Sequence, residues 1–135
     1  MACELNYFGD GARFEHIGVA VSAIKEISPS SEIIIEPSQK VRAAFISVNG
    51  VTIELLEPYG DNSPIAESLN KKIRLLHICY AVPDIEKSVS ECRKHGFHSI
   101  APPVTTIAFH GKKIAWVYSS TLGLFELLED TTPRQ

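Results

Sequence analysis

From Phe14 to Val21 apolar and polar positions alternate: Ile17, Val19 and Val21 fall on one side, His16, Gly18 and Ala20 on the other. A period of two marks a strand with two different faces, and here a histidine shares its face with small residues. Small neighbours leave room beside an imidazole for an ion or a substrate, although they also occur where another element packs closely. Two more apolar runs, Val41–Val48 and Val51–Leu56, flank Asn49-Gly50, a pair suited to the two positive φ values of a type I′ hairpin turn. Ile33-Ile34-Ile35 predicts a short strand ahead of them. Ser63 at an N-cap and Pro64 at the first helical position predict about two turns of helix over Ile65–Lys72.

The second half repeats this plan. Leu75–Val82 alternates around His77, Asp84 caps a helix with Ile85, Val89 and Cys92 on one face, and Gly96 stands where a left-handed C-terminal residue is favoured. Phe97–Ile100, Lys113–Tyr118 and Leu122–Leu128 predict strands, with Ala101-Pro102-Pro103 and Phe109-His110-Gly111 as loops. The halves read as β-α-β-β-β modules over about residues 14–57 and 75–129, joined by a helix over about 63–72, with a frayed polar tail over 130–135. Glu54 follows His16 by 38 positions and Glu126 follows His77 by 49. The difference falls mostly between Val21 and Ile33, where a full helix does not fit, so the first module has a shortened one.

The repeat changes the meaning of single residues. A glutamate inside an apolar strand is ordinarily turned to solvent, as Glu57 and Glu129 are expected to be, and a core histidine ordinarily has a satisfied hydrogen bond. Glu54 and Glu126, however, lie among Ile53, Leu55, Phe125 and Leu127, where a carboxylate needs a cation or several donors to offset desolvation. Matching histidines and glutamates in two modules supply four ligands to one buried site: His16, Glu54, His77 and Glu126. His and carboxylate ligands suit Zn, Ni, Co, Mn or Fe and leave one or two coordination positions open. His95, His98 and His110 have no repeat partner; the first two are expected at the surface and His110 in a loop near the pocket. Cys79 shares the inward face with His77, and Trp116 and Tyr118 share one strand face that serves as substrate wall or as core. Lys112 and Lys113 are expected at a solvated hairpin end.

At 135 residues and 44% apolar content the chain suffices for one domain with a real interior. A net charge of −3 and a pI near 5.9 supply no basic field for nucleic acid. Three cysteines without C-x-x-C spacing, no basic-then-apolar leader and no membrane-length apolar run lead to an expected cytoplasmic location.

Taken in order, His16-Ile17-Gly18-Val19-Ala20-Val21, Ile53-Glu54-Leu55-Leu56-Glu57-Pro58, Asp61-Asn62-Ser63-Pro64-Ile65-Ala66, His77-Ile78-Cys79-Tyr80 and His110-Gly111-Lys112-Lys113 resemble the vicinal oxygen chelate superfamily. That group holds glyoxalase I, methylmalonyl-CoA epimerase, extradiol dioxygenases and drug-resistance proteins, and the likeness is greatest to the epimerases and related glyoxalase-like proteins. The resemblance implies an α+β fold of paired β-α-β-β-β modules forming a cupped mixed sheet around a divalent metal, often within a homodimer. It carries the metal ligands over to His16, Glu54, His77 and Glu126. The activity implied is proton transfer α to a carbonyl through a metal-stabilised enolate, with Glu126 or Glu54 as catalytic base. A 2-methyl acyl thioester epimerase is the first expectation, a glyoxalase I-type lactoylglutathione lyase the second, and a non-catalytic small-molecule binder the third. Two departures bear on substrate: Leu76 replaces a first histidine, and Tyr118-Ser119-Ser120 replaces a His-Pro-Lys stretch. The second acid of some epimerases aligns close to Ala43, with Glu36 the nearest carboxylate, in a loop.

Overall fold

Both halves fold as their alternation requires, and they join along their histidine strands. In the computed structural model, which describes residues 2–132, the first half runs β1 (Arg13–Ala20), α1 (Ile24–Ile27), β2 (Ile34–Glu36), β3 (Val41–Val48) and β4 (Val51–Pro58). Helix α2 (Pro64–Asn70) links it to β5 (Leu75–Val82), α3 (Ile85–Arg93), β6 (Phe97–Ser99), β7 (Val104–Thr105), β8 (Lys113–Ser119) and β9 (Gly123–Glu129). The strands form one cupped mixed sheet in the order β2-β3-β4-β1-β5-β9-β8-β6, with β7 paired to β8. β1 lies parallel to β4, β5 parallel to β9, and β1 antiparallel to β5, so the two halves are related by an approximate twofold between β1 and β5. The modules therefore pair within one chain.

Local chemistry explains the elements. Asn49 and Gly50 adopt φ of 48° and 87°, which sets the β3–β4 hairpin in a register running from Val48 opposite Val51 to Val41 opposite Pro58. The Ser63 hydroxyl oxygen accepts the Ile65 amide proton and donates to the Lys40 carbonyl at 2.7 Å, so one side chain caps α2 and ties it to the β3 entrance. Asp84 caps α3 through the Lys87 amide. α1 is a single turn and has no cap from its own N-cap residue, Ala23.

A different residue supplies that cap. The Glu57 carboxylate, at the end of β4, accepts the Ile24 amide at 2.8 Å, and Glu129, at the end of β9, accepts the Ile85 amide at 3.0 Å. Both glutamates are only partly exposed, so the expectation that they turn to solvent is corrected: each fastens its own module's helix to the sheet, with the negative charge at the helix start. The symmetry extends to this pair as well as to the buried glutamates. Similarly, the tail is not frayed at its start. Asp130 bonds Arg13 at 2.9 Å and Lys112 at 3.4 Å, and its amide donates to the Val82 carbonyl; residues 133–135 lie outside those described.

Helices α1 and α3 cover the convex face, whereas α2 lies against the concave one. Ile85, Val89 and Cys92 of α3 pack with Phe8, Val82, Phe97, Val117 and Leu127, and Ile24 of α1 packs with Val21, Ala44 and Leu55. The concave face holds Val41, Ala43, Leu56 and Ile65 on the first half and Ile114, Trp116 and Leu128 on the second. No helix among the described residues is long and apolar enough to cross a membrane.

The cysteines offer a direct check on this packing. Cys79 and Cys92 are 0% and 1% exposed, and burial pushes the Cys92 thiol up to about 11 and raises that of Cys79 as well, whereas Cys3 is exposed. A disulfide-exchange reagent at neutral pH is expected to titrate one thiol in the native protein and three after unfolding. Two fast native thiols would mean that the convex or the concave core opens readily.

Candidate metal centre

Four adjacent strands, β4-β1-β5-β9, each bring one side chain to the floor of the cup. Gly18 on β1 stands beside Glu54 of β4 and His77 of β5, and Cys79 on β5 stands beside His16 of β1 and Glu126 of β9. Because alternate residues share a face, these registers aim His16, Glu54, His77 and Glu126 at a common point. All four are buried, between 0% and 5% exposed.

His16 Nε2 lies 3.2 Å from Glu54 Oε1 and 3.1 Å from Glu126 Oε1; His77 Nε2 lies 3.7 Å and 3.2 Å from the same two atoms. One ligand atom from each residue falls within 4.8 Å of every other. Donors bound about 2.0–2.2 Å from one ion stand about 3–3.5 Å apart, so the quartet has the spacing of a coordination shell. Hydrogen bonding does not account for it: both nitrogens of His16, His77 Nε2 and Glu126 Oε1 are buried with no hydrogen-bond partner among the described residues. A divalent cation at that point satisfies all of these atoms together and offsets two buried carboxylate charges, so the residues fit the group.

Electrostatics agree. Burial opposes protonation of His16, but the neighbouring Cys79, Glu126, Glu15 and Glu54 favour the charged form, outweigh burial and raise the imidazole far above its ordinary value. Glu54 is raised chiefly by desolvation. Glu126 is desolvated too, yet the two histidines hold it down at about 2. The site draws positive charge strongly, and a proton on His16 is the competitor of a metal ion.

Around the quartet the walls are apolar. Phe109 stacks on His16 with centroids 5.7 Å apart and planes 16° apart, Phe45 meets His16 edge-on, and Trp116 stands edge-on to His77 at 4.8 Å. Val41, Ala43, Leu56, Ile65, Leu76, Ile114 and Leu124 continue the lining of a cavity of about 350 Å³ that opens above Glu54, His77 and Glu126. Two polar links bridge its rim between the halves. Glu36 Oε1 accepts the amides of Ile107 and Ala108 at 2.6 and 3.1 Å, and Trp116 Nε1 donates to Gln39 Oε1 at 3.2 Å.

The structure brings together all four residues expected from the repeat. Trp116 is cavity wall, whereas Tyr118, on the same strand face, is 45% exposed. Cys79 is enclosed beside His16 and does not reach the cavity lining. His95 and His98 are exposed as expected. His110 is in the expected loop but points outside the cavity, with φ of 57°; its neighbour Phe109 enters the site instead. Glu36 is corrected from loop to the last residue of β2, where it is 4% exposed and lines the cavity. Lys112 is not merely solvated, being the partner of Asp130. Glu36, Gln39 and Phe109 were not legible as wall residues, because their positions depend on how the cup's two ends meet.

A cupped sheet of two like halves, with one His and one Glu from each brought together at the seam, defines a paired-module protein with a buried cluster that could hold a metal ion. The chain belongs to the glyoxalase/bleomycin resistance protein/dioxygenase superfamily, whose profile matches residues 11–116. Over 122 residues it is 28% identical to the mitochondrial methylmalonyl-CoA epimerase of Mus musculus, covering 82% of this chain and 68% of that one. It is 34% identical over 85 residues to an ethylmalonyl-CoA/methylmalonyl-CoA epimerase of Cereibacter sphaeroides, covering 62% and 63%. The methylmalonyl-CoA epimerase structure from Mycobacterium tuberculosis superposes with a TM-score of 0.69 at 21% identity, covering 89% of this chain and 88% of that one.

Proposed function

We propose that the protein is a divalent-metal-dependent epimerase that moves a proton α to the carbonyl of a 2-substituted acyl thioester. The observation that carries this reading is the buried quartet of His16, Glu54, His77 and Glu126, four ligand atoms within 4.8 Å opening onto a cavity. A bound divalent ion there supplies a Lewis acid that polarises a carbonyl oxygen and makes the adjacent C–H more acidic. His16 and His77 hold their ligand nitrogens in place, with Phe109 and Trp116 packed on the rings and excluding water from that floor. Glu54 or Glu126 takes the α-proton.

Inversion requires a proton to return on the other face of a planar carbon, and Glu36 is the third carboxylate lining the same cavity. The Ile107 and Ala108 amides fix its Oε1, leaving Oε2 with only the Ser38 hydroxyl at 3.1 Å. We assign Glu36 as the acid-base group for that second face. Relatives named as epimerases support this reading, and the proton-transfer chemistry is common ground with the lyase alternative. The lyase reading comes second because the relatives reported above are named as epimerases.

The test is α-proton exchange of methylmalonyl-CoA in deuterium oxide, followed by proton NMR with metal-loaded protein, beside a methylglyoxal and glutathione assay read in the ultraviolet. Exchange without thioester formation from glutathione is expected. Glu36→Gln is expected to retain metal and to lose inversion by at least about 100-fold. Thioester formation from methylglyoxal would replace the epimerase reading with the lyase; silence in both assays at full metal occupancy would leave a binding protein.

A further inference from the structure

The cavity offers a ligand very few hydrogen bonds beyond the quartet. Every hydroxyl and indole donor on its lining is already spent: Thr106 Oγ1 donates to the Lys112 carbonyl, Ser68 Oγ to the Pro64 carbonyl, and Trp116 Nε1 to Gln39. Glu36 is an acceptor that already receives three bonds. Among the side chains, this leaves the Gln39 amide nitrogen as the free donor. Apart from His77, all the acidic and basic side chains in the lining are carboxylates, namely Glu36, Glu54 and Glu126. A second negative charge away from the metal would be buried beside like charges with no donor to meet it.

The apolar part of the lining is extensive and continuous. Val41, Ala43, Leu56, Ile65 and Leu76 form one wall, from β3, β4, α2 and β5, and Ile114, Trp116 and Leu124 form the facing one. A volume of about 350 Å³ has room for on the order of a dozen non-hydrogen atoms, more than a three-carbon head requires.

We infer that the substrate carries, next to its metal-binding carbonyl, an uncharged hydrocarbon arm of about four to seven carbons, alkyl or aryl, seated against the wall of Val41, Leu56, Ile65 and Leu76. This rests on the proton-transfer reading for what happens to the substrate, but the arm is recognised whether or not a proton moves. Selection works by differential burial: each methylene placed in the cavity leaves water, whereas a charge placed there leaves its hydration uncompensated.

The chain's single tryptophan, Trp116, lines the cavity and reports on occupancy. The experiment titrates metal-loaded protein with malonate, methylmalonate, butylmalonate, benzylmalonate and 4-carboxybutylmalonate, following Trp116 fluorescence. The expected result is a gain of about fourfold in affinity per methylene as far as butyl, a benzyl compound at least as tight, and a loss of at least tenfold when the arm ends in carboxylate. Ala43→Leu, which fills part of the apolar wall, is expected to erase the advantage of butyl over methyl. A flat series, or a charged arm bound as tightly as butyl, overturns the inference, and the wild-type series decides this even where the variant fails to fold. The matching thioesters, assayed for α-proton exchange, separate the two ideas. A rising affinity series with no exchange from any thioester overturns the proton-transfer reading and leaves the arm, while exchange of methylmalonyl thioester with a flat series overturns the arm and leaves the reaction.

Discussion

His77→Ala protein, purified without a histidine tag, is expected to hold well under one divalent ion per chain where the parent holds about one, and to show no α-proton exchange. The quartet leaves little redundancy: His77 Nε2 stands 3.2 Å from Glu126 Oε1 and 3.7 Å from Glu54 Oε1, and its loss removes one of the two imidazoles in the proposed ligand set. Affinity is expected to fall more than about 100-fold, since disturbing even the groups behind a ligand costs 10–100-fold. Without the ion, the buried carboxylates must be neutralised by protons. Burial opposes the charge on His16, but Cys79, Glu126, Glu15 and Glu54 raise it above its ordinary value, so a proton on this imidazole is favoured in the metal-free protein. Metal binding displaces that proton, so about one proton is released per ion, and affinity rises with pH while His16 remains the group giving it up. Calorimetry in buffers of different ionisation enthalpy measures the number directly. The parent should also gain about 4 kcal/mol of stability at a free metal concentration 1,000 times its dissociation constant, and His77→Ala at the same concentration should gain no more than about 1.4 kcal/mol. Equal metal content in parent and variant would remove His77 from the ligand set.

Gly18→Ala is expected to do nearly the same damage without touching a ligand. Gly18 has an ordinary backbone conformation; its role is space. A Cβ there would lie 2.1 Å from His77 Cε1, 2.5 Å from Nδ1 and 2.6 Å from Nε2, far inside van der Waals contact. The His77 side chain is 1% exposed, with Trp116 against it, so the ring must turn away from His16, Glu54 and Glu126 or the β1–β5 pairing must spread. Overpacking of this kind costs about 1–3 kcal/mol, and the displaced nitrogen should reduce metal affinity by at least about 100-fold. Thermal unfolding with and without added metal reads both effects. A Gly18→Ala protein with the parent's metal content would mean that the ring's position is not what holds the ion. Gly18→Ala and His77→Ala together should be less than additive in metal loss, because both act on one nitrogen.

The histidine strand shows why much of this site was legible from sequence. His16, Gly18 and Ala20 alternate with larger apolar residues, and a second copy around His77 shows that the pattern is structural grammar rather than chance. The strand register then turns matching sequence positions into neighbouring points on the sheet. Asn49-Gly50 and Ser63-Pro64 were legible because their conformational demands are local. Glu36, Gln39 and Phe109 were not, since each reaches the cavity through a contact between the far ends of the cup, more than 70 positions apart in the case of Glu36 and Ala108. Glu57 and Glu129 depart from the expected exposure for a related reason. Their strand positions suggested exposure, but a helix from earlier in each module returns over the sheet and presents an unpaired amide to them.

The unequal helices have one more consequence. A single turn of α1 covers on the first half what nine residues of α3 cover on the second, yet the ligands of both halves meet at one point. Length on the convex face is thus uncoupled from position on the concave one. The exposed stretch around Pro29, Ser30 and Glu32, between α1 and β2, is accordingly where a reporter peptide or a whole inserted domain is expected to be tolerated.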